Sequence, residues 1–157
     1  MSIEKQLMEK YSVFQKKYSL PLFDDLNNNF GIVLIVDGKS EFVGHLLVAI
    51  RHKIVDTFQN WIHFLHSIYI PSLSYFPSLK QHEALSDEDK KELFFIISHL
   101  SLLTNKSLKI SLYWENTDKD AEFIKEAFKE FMELRDRISY FVDKNILVWD
   151  SVLKQKT

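Results

Sequence analysis

The sequence predicts a mainly α protein, an irregular bundle of four to five helices around one long central helix. Three observations predict it. Apolar residues recur at intervals of three and four along most of the chain, which is the spacing of one helix face. Pro21 and Pro71 stop two of these patterns, and polar or acidic caps begin others. The segment from Ser40 to about Tyr69 keeps one apolar face over some 30 residues, about 45 Å of helix.

The first helix is expected over about Ser2 to Tyr18, where Ile3, Leu7, Tyr11, Phe14 and Tyr18 share a face. After Pro21, Asn27-Asn28-Asn29 reads as a loop or a weak helix. Residues 30–36 read two ways. Their short β-branched run suits a buried strand. They also suit the end of a helix begun near Asp24, with Gly38 as its left-handed cap.

The long helix follows, with Ser40 as N-cap. Val43, Leu47, Ile50, Ile54, Trp61, Leu65 and Ile68 form its apolar stripe, and Pro71 ends it. Tyr69-Ile70-Pro71-Ser72-Leu73 is then nearly repeated as Tyr75-Phe76-Pro77-Ser78-Leu79. Two aromatic-flanked prolines suggest an extended arm, or a loop that tucks its aromatics onto the core. A capped helix is expected from about Asp87 to Thr104. Leu108, Ile110, Leu112 and Trp114 then alternate with polar neighbours or Tyr113, so residues 107–114 read as a strand that could pair with 30–36 in a minor two-stranded ribbon. Thr117-Asp118-Lys119-Asp120 caps a last long helix to about Lys144, and 145–149 reads as a short apolar tail that docks back.

No linker, long-period repeat or low-complexity tract divides the 157 residues, so residues 1–157 are read as a single helical domain. Thirteen Phe, six Tyr and three Trp argue against disorder. A formal net charge of -2 argues against general nucleic-acid binding. The absence of Cys excludes disulfides, thiolate metal sites and a Cys nucleophile. No apolar run is long enough to span a bilayer and the N-terminus lacks a signal-peptide core, so the expected setting is cytoplasmic, with no membrane partner. With only 3 Gly, no glycine-rich phosphate loop or dinucleotide motif occurs, and no cofactor is expected.

Two constellations carry candidate chemistry. At roughly 100° per residue, Glu41, His45, His52, Asp56, Gln59, His63 and His66 fall within about 60° of one direction on the long helix, opposite the apolar stripe. His52, Asp56 and His63 are the candidate ligands should a divalent metal bind. The remaining ligands would have to come from elsewhere, such as His82, Glu83 or His99, because His45 and His66 lie about 32 Å apart along the axis. Without a metal, the same face is a binding surface of polar and titratable groups.

The second is Arg135. On the last helix Ile124, Phe128, Phe131, Ile138 and Val142 mark the buried direction, and Arg135 points along it. A buried guanidinium requires a carboxylate, a carbonyl, a water-filled cleft or a partner chain. The stretch Leu134-Arg135-Asp136-Arg137-Ile138-Ser139-Tyr140, followed by Val148-Trp149-Asp150, resembles the end of HEPN-family helical proteins. The resemblance implies a ribonuclease site at a dimer interface, with Arg135 and Asp136 in the first two motif positions. Tyr140 stands where that family has His, which removes its acid–base residue.

The expected function is a non-enzymatic interaction or regulatory module that works through a protein–protein surface, with a protein partner or self-association. The alternatives are a metal-dependent helical enzyme built on the His face, and a HEPN-like ribonuclease or an inactive relative of one.

Overall fold

The computed structural model describes residues 2–36, 45–72, 76–113 and 116–155. Among them are six α-helices and no strand: α1 (Ile3–Tyr18), α2 (Phe23–Phe30), α3 (Leu46–Tyr69), α4 (Phe76–Glu83), α5 (Asp87–Ser111) and α6 (Thr117–Lys154), with a 3-10 turn at Ile32–Val36 after α2. The mainly helical fold class is therefore correct, and the ribbon of 30–36 with 107–114 is not formed. The chain divides into two compact units: Met1–Phe58 with Leu103–Glu130, and Gln59–Leu102 with Phe131–Thr157.

In the first unit, Ser2 caps α1 by accepting the Lys5 N–H, and Ser19 ends it in the left-handed region at φ 53°. The three Asn belong to α2, because Phe23, Leu26 and Phe30 recur at helical spacing and are all buried; that burial outweighs the poor helix propensity of Asn. Gly31, at φ 63°, caps α2 in place of Gly38, which lies outside the described residues, as does Ser40. Asn27 Oδ1 then accepts the Val33 N–H at 2.8 Å, which ties the 3-10 turn to α2. Tyr11 is wholly buried; its hydroxyl donates to Pro21 O at 2.6 Å, and its ring meets Phe23 edge-on. Ile50, Ile54 and Phe58 of α3 and Ala121, Ile124 and Ala127 of α6 complete this core.

The second unit buries Leu65 and Ile68 of α3, Leu93, Ile96 and Leu100 of α5, and Phe131, Leu134, Ile138 and Phe141 of α6. The later half of the near-repeat starts a helix, with Pro77 in the first turn of α4, where its missing N–H costs nothing. Ser78 donates to Ser67 O, and His82 Nδ1 sits 2.8 Å from Ile68 O, so both side chains hold α4 to the end of α3. Residues 73–75 lie outside the described residues. Ser86 and Asp89 cap α5 reciprocally: each side chain accepts the other's backbone N–H.

Three boundaries differ from the sequence expectation. α5 runs on through 107–111, because Leu100, Leu103 and Ser107 stay on its buried side at helical spacing, while Leu108 and Leu112 are exposed. Asn116, one residue before the expected cap, accepts the Lys119 N–H at 3.1 Å and starts α6. The expected tail at 145–149 is helix to Lys154, with Asn145 buried and Ile146 and Leu147 exposed, so it does not dock back.

Candidate functional site

The site grows from a buried cation. Arg51 follows Ile50 on α3, and its position falls between Leu47 and Ile54 on the inner side of the helix, so it is 3% exposed. Its Nε donates to Asp120 Oδ1 at 2.6 Å. Its Nη1 donates to Ser107 O at 2.9 Å, Ser107 Oγ at 2.6 Å and Ser111 Oγ at 3.0 Å. Ser111 Oγ in turn donates to Ser107 O at 3.2 Å. Three helices of the first unit thus close on one guanidinium, and the charge is matched by a carboxylate as buried as itself.

A pocket of about 300 Å³ opens beside this cluster. Val48, Ala49, Ile110 and Tyr113 supply its apolar walls. Arg51, Asp120, Ser111 and Asn116 supply polar atoms, and His45 and His52 complete the lining. The four guanidinium bonds use Nε and Nη1 and leave Nη2 uncommitted among the described residues; Asp120 Oδ2 is likewise uncommitted. Arg51 and Asp120 both line the pocket, although their side chains are only 4% and 3% exposed. Desolvation, then the Arg51 charge, pulls the His52 imidazole below its ordinary range, and Asp56 and Asp120 oppose that pull. The serine hydroxyls are engaged with Arg51 and a carbonyl.

The sequence-predicted residues are partly gathered here. His45 and His52 line the pocket; Asp56, Gln59, His63 and His66 are exposed on α3 and do not. Among the described residues no three His, Asp or Glu side chains form a group able to hold a metal. Arg135, Asp136 and Tyr140 are exposed on α6. The expectation that Arg135 is buried is corrected: the inward positions are Ala127, Phe131, Leu134, Ile138, Phe141 and Asn145, and Arg135 lies just off them. Phe128 and Val142, used to set the expected direction, are only half-buried. Sequence reasoning missed Arg51, Ser107 and Asp120. The available signal was Arg51 itself, a lone cation between Leu47 and Ile54 on an apolar stripe.

α6 carries a second feature. Met132, Ser139, Ile146 and Leu153 lie at intervals of seven on its exposed side. On a straight helix such a stripe drifts only about 20° per heptad, so the four share a face. Among the described residues no helix is long and apolar enough to cross a membrane. No family model, no curated protein and no solved structure matches this chain.

Proposed function

We propose that this chain is a non-enzymatic interaction module whose partner at the α6 surface is a second copy of itself. The observation that carries the reading is the heptad stripe. Met132, Ile146 and Leu153 are 39%, 59% and 68% exposed, and Ser139 is the polar member of the stripe. Three large apolar groups at four heptad positions favour a partner helix over open water.

Charge supports pairing with a second copy. An antiparallel pairing about the point between Val142 and Asp143 sets Met132 opposite Leu153, Ser139 opposite Ile146, and Arg135 opposite Asp150. That is the self-matching pattern a two-fold interface requires, in which each residue meets the partner of its own counterpart. It also gives the exposed Arg135 an opposite charge. Asp150 pairs with the exposed Lys154, 2.6 Å away on the same helix.

Sedimentation equilibrium of the untagged chain tests the reading. A dimer is expected at concentrations of about 10–100 μM, with a double variant Ile146→Glu, Leu153→Glu monomeric at unchanged helicity. Arg135→Asp should weaken the dimer, and adding Asp150→Arg should restore it. A wild-type monomer throughout that range would overturn the reading.

A further inference from the structure

The pocket beside Arg51 lies apart from the α6 stripe, and the argument for it does not rest on self-association. Its volume of about 300 Å³ equals that of the smaller ligand-binding clefts of proteins. Its walls are apolar on Val48, Ala49 and Ile110 and aromatic on Tyr113. Its polar lining combines the donor Arg51 and the acceptor Asp120, which fix each other through the 2.6 Å bond between Nε and Oδ1, with Ser111, Asn116, His45 and His52. Further bonds from Nη1 to Ser107 and Ser111 lock the guanidinium, so the donor and acceptor are presented in one geometry before any ligand arrives.

The charge of the Arg51–Asp120 pair cancels. An anion would gain Arg51 but meet Asp120, and a cation the reverse. Either would be attracted by one member of the buried pair and repelled by the other. A group that both accepts and donates a hydrogen bond meets no such penalty. We propose that the pocket binds a small, uncharged, planar ligand bearing an amide or lactam edge. The ligand carbonyl accepts from Arg51 Nη2, its N–H donates to Asp120 Oδ2, and its ring lies between Ile110 and Tyr113.

Three isosteric probes separate the charge types: benzamide, benzoate and benzamidine, each titrated into the ¹⁵N-labelled full chain and followed by amide chemical shifts. Benzamide is expected to give saturable shifts at Ala49, Ser111 and Tyr113 with a Kd of roughly millimolar order, as suits a fragment of its size. Benzoate and benzamidine should bind there about tenfold more weakly or not at all. Ala49→Trp, which fills the pocket with an indole, should weaken benzamide about tenfold. Should that variant not fold, Tyr113→Ala, at a 53% exposed position, serves instead and should weaken benzamide several-fold through the lost ring contact. The absence of saturable benzamide shifts at these residues would overturn the proposal. So would charged probes that bind as tightly as benzamide, or binding indifferent to the folded pocket variant.

Discussion

Arg51 Nε lies 2.6 Å from Asp120 Oδ1, and neither side chain is more than 4% exposed, although 69 residues separate them in the chain. The pair ties α3 to the start of α6, and Ser107 and Ser111 bring in α5. Removing one member strands the other charge in the core. Asp120→Ala should therefore cost about 3–5 kcal/mol in urea unfolding. Replacing both together, as Arg51→Met with Asp120→Leu, should cost far less or stabilise, because no buried charge remains. A double variant as unstable as the single one would show that the pair itself supplies the stability.

Arg135 provides the contrast. It is exposed on α6 where Arg51 is buried on α3. At protein concentrations low enough to keep the chain monomeric, Arg135→Ala should change the unfolding free energy by no more than about 0.5 kcal/mol. Arg51→Ala should cost several kcal/mol, since it leaves Asp120 buried without its cation. Equal effects for the two would contradict the burial pattern.

These two arginines show what the sequence made legible. The helices were readable where the inner face is purely apolar, as in α1, most of α3 and the early part of α5. Reading failed where that face carries polar groups. Arg51, Ser107 and Asp120 each occupy an inward position of a different helix, and each looks out of place until the other two are beside it. Ser107 interrupted the helical spacing of α5, so Leu108, Ile110 and Leu112 took over as a period-two pattern and suggested a strand. Asp120 reads as part of the Thr117–Asp120 cap of the last helix. On α6, half-buried Phe128 and Val142 rotated the assigned face enough to bring Arg135 into it. For the candidate site, His45 and His52 were found because both point away from the apolar stripe, yet their pocket depends on α5 and α6 residues that no local pattern reveals.

Acid should expose a separate element of stability in the second unit. Burial raises the proton affinity of Asp89, but the Lys144 ammonium, the Ser86 N–H and hydroxyl, and the Tyr140 hydroxyl more than offset it and hold the carboxyl down at about 2, against an ordinary 3.8. A depressed folded-state value means the stabilisation is fully present above the ordinary value and is lost as pH falls through the folded one. From the two values, Asp89 contributes about 2 kcal/mol at neutral pH, fading between about pH 4 and pH 2. Urea midpoints taken at pH 5 and pH 2.5 should converge for wild type and Asp89→Asn as the pH drops. A gap independent of pH would assign the loss to the helix cap alone.

Asn145 is the polar residue whose replacement should help. It is 7% exposed on α6, next to Lys144, and among the described residues its Nδ2 is the buried side-chain atom without a hydrogen-bond partner. An enclosed amide nitrogen that has given up water and gained nothing costs about 1–3 kcal/mol. Its position continues the apolar series Leu134, Ile138, Phe141, so the surrounding groups already suit a hydrocarbon. Leu has the same branched skeleton as Asn, with two methyl groups in place of the amide oxygen and nitrogen, and a better helix propensity. Asn145→Leu should therefore raise the unfolding free energy by about 1 kcal/mol, read as a higher urea midpoint at unchanged slope. A lower midpoint would mean that the amide has a partner in solution, most simply a bound water, and that the position is polar for a reason the protein uses.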